Sequence, residues 1–199
     1  RQRPLCELFG VNSARPVRTN DLLQDFFTHC CDHPQGWGIA LCDHGVSIEK
    51  EPKKASTSAY LKERMNSSIL ARNLLAHIRL ATIGNMEYDN THPFVGYDIS
   101  GRTWTQIHNG TLFEAPDVDP YFYRERGSTD SERMLLYFLD RVEEATLKAG
   151  HPLNADERTT LVEKTLAHLT PHNKINVLLF DGEQLYVHTN YKGSLHVCE

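Results

Sequence analysis

The fold class this sequence predicts is a mixed α+β layered domain. The periodic segments run strands, then helices, then strands again. Hairpin signals recur where alternating βαβ units would need helical crossovers. No internal repeat, linker or low-complexity stretch interrupts the 199 residues, so one domain is the economical reading.

Leu5–Val11 reads as a short buried strand, broken by Asn12 and Ser13, with Arg15–Asn20 as loop. Leu22, Leu23, Phe26 and Phe27 have helical spacing within Asp21–Cys31, with Thr19 or Asn20 as cap. After the Pro34-Gln35-Gly36 turn come a strand at Trp37–Cys42, a turn at Asp43-His44-Gly45 and a strand at Val46–Lys50. Thr57–Asn66 is a helix candidate, Leu74–Leu80 a buried strand and Asn85–Asn90 a loop. Residues 103–108 alternate in the manner of a strand, and the proline- and acid-bearing residues 113–127 read as a long loop. Thr129–Leu147 is the clearest helix. Thr129 and Glu132 have capping-box spacing, and Met134, Leu135, Phe138, Leu139 and Val142 make one apolar face. Ala155–Leu169 is a second amphipathic helix, capped by Asn154 and stopped before Pro171. Ile175–Phe180 and Gln184–Thr189 form a hairpin, with Asp181-Gly182 supplying the positive φ angles of a tight turn.

Composition narrows the function classes. The apolar fraction is 40% and the charged fraction 24%, ordinary for a globular protein. Net charge is −5 and no basic stripe appears, which argues against a nucleic-acid partner. Apolar runs such as Val177–Phe180 are far too short to cross a bilayer, so no membrane role is expected. Arg1–Leu5 is basic but leads into no long apolar core, unlike a secretory signal. Cys6, Cys30, Cys31, Cys42 and Cys198 form no regular framework and read as reduced thiols of a cytoplasmic protein.

Four places could carry chemistry. Cys6 opens a buried-looking strand. Core packing is the ordinary fate of such a residue, but a cysteine at a mature N-terminus would have its own α-amine as base. That amine has a pKa of about 7.7, against about 8.5 for an ordinary thiol. His77–Gly84 ends a strand in Arg79, followed by Thr82 and Gly84. A guanidinium there offers a planar fork for a carboxylate, or a plain surface ion pair. Asn90–Phe94 follows and is expected to fold back over it. Asn109 and Gly110, after His108, supply the two donors of an oxyanion hole, or an ordinary Asn-Gly turn. Asp130, in the first turn of the strongest helix, complements the macrodipole and could also receive an ammonium group. Two rivals stand beside this set. His29, Cys30, Cys31, His33, Cys42 and His44 could bind zinc, but no pair has C-x2-C or H-x3-H spacing, so no metal site is assigned. A Cys-His protease pairing Cys6 with His77 or His108 lacks a local nucleophile signature.

With these motifs in place, the chain resembles the class II glutamine amidotransferases, among the N-terminal-nucleophile hydrolases. It is most similar to small stand-alone members that open Cys-Glu-Leu-x-Gly, here Cys6–Gly10 continued by Asn12-Ser13 and Arg15-Pro16. His33–Ala40, Ala76–Gly84, Asn90–Phe94, His108–Gly110 and Ser128–Glu132 match the following blocks in order. The resemblance implies a four-layer αββα sandwich and no cofactor. It implies Cys6 as nucleophile, Asn109 and Gly110 as oxyanion hole, Arg79 and Thr82 at the substrate carboxylate, and Asp130 at its ammonium group. His77 and His108 occupy motif positions and are expected to be structural.

Three departures accompany the match. Arg1–Leu5 precede the nucleophile and are read as a propeptide or expression remnant, with residues 6–199 as one glutamine amidotransferase type 2 domain. Ile83 stands where many members have His, and Gln35 where relatives often have Asp. Members also usually extend beyond the final hairpin, so a truncated C-terminus is part of the reading. The expected activity is hydrolysis of the side-chain amide of glutamine or of a γ-glutamyl compound, with a catalytically silent amino-acid-binding protein of the same fold as the alternative. The expected partners are that small molecule, a separate acceptor subunit for ammonia, and a second copy in a homodimer.

Overall fold

The structure is a computed structural model and describes residues 6–29, 35–80 and 85–198. The chain divides at Pro93 into two compact units. Among the described residues, each unit holds one four-stranded antiparallel sheet and two α-helices, the layers of the expected α+β class.

In the first unit, β1 (Glu7–Arg18), β2 (Trp37–Leu41), β3 (Ser47–Glu51) and β4 (Leu70–Ile78) pair in the order β1-β4-β2-β3. Two helices, α1 (Asn20–Thr28) and α2 (Ala59–Asn66), accompany them. One sheet face presents Trp37, Ile39, Leu74, Ala76 and Ile78 to the apolar core shared with Leu23 and Phe26 of α1 and Leu61 of α2. The opposite face carries the alternate residues, Gly38, Leu75, His77 and beyond them Arg79.

Strand β1 does not end at Asn12-Ser13 as the sequence suggested. Asn12 lies opposite Asn73, and their side-chain amides bond at 2.7 Å. The register then shifts before resuming at Val17 opposite Ala71. Because β1 is an edge strand, its polar side chains reach solvent, and the irregular stretch accommodates Pro16. The cap expected from Thr19 or Asn20 is also spent differently. The Thr19 hydroxyl donates to the Ile69 carbonyl at 3.0 Å, and the Asn20 side chain bonds Met65 O, Ser67 O and Ile69 N. These groups tie α1 to the start of β4. Helix α2 has a true cap, Ser58 Oγ accepting from Leu61 N at 2.9 Å.

In the second unit, β5 (Phe94–Tyr97), β6 (Thr103–Thr111), β7 (Lys174–Phe180) and β8 (Leu185–Thr189) pair in sequence order. Helices α3 (Asp130–Ala149) and α4 (Ala155–Leu169) pack on one face, where Trp104, Met134, Phe138, Val162, Ile175 and Val177 are buried. Thr129 caps α3 through Glu132 N at 3.2 Å. The Glu132 carboxylate turns to the Arg126 and Gly127 amides at 2.8 and 3.0 Å, so only half of the capping box forms. Asn154 caps α4, whose limits match the expectation. Strand β5 was not foreseen: four residues are too short to show a period, and Gly96 is placed for contact with Leu139, 2.4 Å from where a Cβ would lie.

The β7–β8 turn also differs from the two-residue form. Phe180 pairs with Leu185, leaving four residues, and only Gly182 has positive φ. Asp181 serves as an anchor here. Its fully buried carboxylate accepts from Glu183 N, Gln184 N, Tyr186 Oη and Arg158 Nε at 2.6–2.9 Å. Burial pushes its pKa up, but these hydrogen bonds outweigh burial and hold the carboxyl below its ordinary value. A depressed carboxylate contributes stability above its unfolded pKa of about 3.9, lost as pH falls through the folded value. Asp181→Asn leaves Arg158 buried with half its charge partners gone and is expected to cost about 3 kcal/mol at pH 7. Urea unfolding should show the gap to the parent chain beginning to close as pH falls below about 4, where the unfolded carboxyl takes up its proton, and closing fully only at the lower pH where the folded Asp181 is protonated.

Candidate functional site

The residues singled out from sequence fall into two sets, one in each unit. In the first, β4 is the central strand between β1 and β2, and this fixes where Cys6 lies. Glu7 is opposite Ile78, so Cys6 sits beside Arg79 and Leu80, just past the end of the ladder. The partly buried Cys6 thiol donates to the Leu80 carbonyl at 3.1 Å, and the Leu80 amide approaches Sγ at the same distance. On the other side of β4 the Arg79 amide donates to Gly36 O at 2.8 Å.

Arg79 is only 3% exposed. Its Nη1 donates to the Asn85 carbonyl at 2.9 Å. Burial pulls the guanidinium below its ordinary pKa, while the charge of Cys6 pulls the other way. Arginine still stays charged at neutral pH. Structure therefore brings Cys6 and Arg79 together at one end of one sheet. Asn85 was read only as loop. It acts through its backbone carbonyl, which no side-chain pattern could have revealed. Thr82 lies outside the described residues.

In the second unit, Asn109 and Gly110 lie near the end of the β6 ladder, opposite Asn176 and Ile175 and just before the last pair, Thr111 and Lys174. Gly110 is required by a close approach: a Cβ would fall 1.9 Å from the Lys174 carbonyl oxygen and 2.8 Å from His108 Nε2. His108 is buried and bridges two elements. Its Nε2 faces the Lys174 carbonyl at 3.3 Å and its Nδ1 the Ser131 hydroxyl at 2.8 Å. A carbonyl only accepts, so Nε2 carries the proton and Nδ1 accepts from Ser131. Burial lowers the His108 pKa, against the nearby Asp130 carboxylate, and keeps the ring neutral. Gln106, one step along the same face, donates to the Ser131 carbonyl at 2.7 Å.

These bonds dock the first turn of α3 on β6, and the turn carries Asp130. One Asp130 oxygen accepts from the Leu112 amide at 2.8 Å, three residues past Asn109. Asn109, Gly110 and Asp130 are thus assembled around the end of β6, and Ser131 is the partner that sequence reasoning missed. The motif run from Ser128 to Glu132 was the available signal. His77 is fully buried, its ring stacked on His92 at 4.1 Å between centroids. Of the zinc rival, Cys30, Cys31 and His33 lie outside the described residues. Among the described residues no group of three or more His, Cys, Asp or Glu could hold a metal ion, and no helix is long and apolar enough to cross a membrane.

Comparison with known proteins identifies the family to which the chain belongs. The family model for class II glutamine amidotransferases matches residues 5–198. A provisionally named glutamine amidotransferase of Haemophilus influenzae is 33% identical over 190 residues, covering 92% of this chain and 63% of the relative. One of Escherichia coli, also provisionally named, is 30% identical over 195 residues, covering 94% and 74%. A protein of Methanocaldococcus jannaschii without an assigned role is 34% identical, and the chain spans only 52% of its length. Among solved structures, a predicted glutamine amidotransferase of Pseudomonas aeruginosa superposes with TM-score 0.64 at 25% identity, over 92% of this chain and 72% of that one. The glutamine phosphoribosylpyrophosphate amidotransferase of B. subtilis superposes with TM-score 0.62 at 16% identity, over 92% of this chain and 36% of that one, a likeness of fold alone. By its sequence, the chain belongs to the class II glutamine amidotransferase family.

Proposed function

We propose that this chain hydrolyses the side-chain amide of glutamine, or of a γ-glutamyl compound, through a thioester on Cys6. The observation that carries the reading is Cys6 Sγ held against the Leu80 backbone beside the buried Arg79. A nucleophile and a carboxylate-binding guanidinium at adjacent positions suit a free α-amino acid whose side chain is attacked. Family membership supports the same assignment.

Mature Cys6, with Arg1–Leu5 removed, provides both groups the first step needs. Its α-amine takes the thiol proton, and sulfur attacks the amide carbon. The carbonyl π pair moves to oxygen, where Asn109 and Gly110 donate. An oxyanion donor of this kind is worth about 3 kcal/mol. The resulting α-ammonium protonates the amide nitrogen, the C–N bond breaks and ammonia leaves. Water then attacks the thioester, giving its proton to the amine, and the C–S bond breaks to release glutamate and the thiol. Arg79 and Thr82 hold the substrate carboxylate, and Asp130 its ammonium group. Ammonia is either released or passed to a separate acceptor subunit.

Cys6→Ala should lower glutamine hydrolysis at least about a thousandfold with an unchanged melting transition, read by coupled glutamate release. Full activity in that variant would refute the mechanism. Asn109→Ala should lower kcat about a hundredfold or more and leave KM within a few-fold, since an oxyanion donor acts in the transition state. A chain whose first residue is Cys6 should be active, and one that keeps Arg1–Leu5 inactive. Intact mass and N-terminal sequencing assign each preparation.

A further inference from the structure

Residues 85–93 have no role in the chemistry above, yet they are fastened to the first unit by unusual means. One row of cross-strand partners runs Lys50 on β3, Gly38 on β2, His77 on β4 and Leu8 on β1. Partners in such a row share a sheet face, and Arg79, two residues beyond His77, extends that face. The segment lies across this row. Lys50 Nζ donates to the carbonyls of Thr91 at 2.6 Å and Pro93 at 3.1 Å, and lies 4.6 Å from the Tyr88 ring centroid. Gly38 provides the room between, since a Cβ there would stand 2.0 Å from the His92 carbonyl oxygen. The His92 ring covers His77. At the segment's other end, the Asn85 carbonyl accepts from Arg79 Nη1 at 2.9 Å and from Asn90 Nδ2 at 3.1 Å.

We propose that Lys50 is a positioning residue for substrate recognition: it clamps residues 91–93 across Gly38, so that the Asn85 carbonyl at the segment's far end aims the Arg79 guanidinium. The inference rests on the reading of Arg79 as the group that binds the substrate α-carboxylate. Chemistry favours a lysine here. Two neutral carbonyls converge on one point, and an ammonium group satisfies both with charge-assisted bonds. A guanidinium at 3% exposure has few ways to correct its own aim, so its fork is set by what holds it. A misplacement of about an ångström is enough to lose much of a bidentate contact.

The test uses the mature chain and L-glutamate as probe, which carries the same α-carboxylate and is the product of the proposed hydrolysis. Calorimetry should show Lys50→Met and Lys50→Gln weakening glutamate binding about tenfold. Hydrogen exchange should accelerate at the amides of residues 85–93 and stay at parent values in β2 and β4. Lys50→Arg should restore both readouts. Unchanged glutamate affinity in Lys50→Met and Lys50→Gln overturns the proposal. So does protection lost throughout the sheet, which is the mark of a merely structural lysine, and so does a parent chain that binds no glutamate. Glutamine hydrolysis is followed in parallel. A parent chain that binds glutamate in a Lys50-dependent way but leaves glutamine intact sustains the role of Lys50 and defeats the hydrolase reading. Hydrolysis by a parent chain whose Lys50 variants bind glutamate normally does the reverse.

Discussion

The pairing of β4 between β1 and β2 is the constraint from which the first set of functional residues follows. A central strand has its hydrogen bonds fixed on both sides, so a residue just beyond its end has little freedom. Arg79 and Leu80 occupy that position, tied to Gly36 on one side and to Cys6 on the other. The sulfur is therefore located by the Leu80 backbone, two residues past the end of β4, and groups held by rigid elements are placed more precisely than groups on loops. The apolar row on the opposite face, from Trp37 to Ile78, anchors the same strands against α1 and α2. Packing on one face thus stabilises chemistry on the other, because successive residues of a strand point to opposite sides.

The second unit meets the same requirement with a polar device. The end of β6 has to stay close to β7 and to the start of α3, and both approaches occur at a point where a side chain would intrude. Gly110 removes that side chain, and His108 fills the remaining space as a neutral bridge from Lys174 to Ser131. Buried polar groups are costly unless satisfied, and both ring nitrogens are. The same docking brings Asp130 to Leu112. An acidic residue in the first turn of a helix favours the macrodipole in any protein, but here its position relative to Asn109 is set by the histidine bridge.

Legibility in the sequence tracks the locality of the signal. Helix α4 was readable to the residue because a cap, an amphipathic period and a following proline are all local features. Strand β1 was cut short because Asn12 and Ser13 look like breakers, and only its place at the sheet edge makes them tolerable. Strand β5 has four residues and no detectable period. The Asp181-Gly182 pair did mark a turn, but the role of Asp181 depends on Arg158, twenty-three positions away. The site residues were legible as types in motifs. Their partners were not, because Leu80, Asn85 and Lys174 act through main-chain atoms that every residue possesses.

The two motif histidines bear on the Cys-His alternative that sequence left open. A Cys-His pair needs an imidazole nitrogen able to take a proton from sulfur. At His108, Nε2 is committed as donor to a carbonyl and Nδ1 as acceptor from a hydroxyl, and burial disfavours the charged ring that proton transfer would create. At His77, the strand register puts Leu8 opposite, and the buried ring is stacked under His92. Both rings are thus built into the packing that holds Arg79 and Asp130 in place. In the proposed mechanism the base is instead the α-amine of a mature Cys6, on the same residue as the thiol.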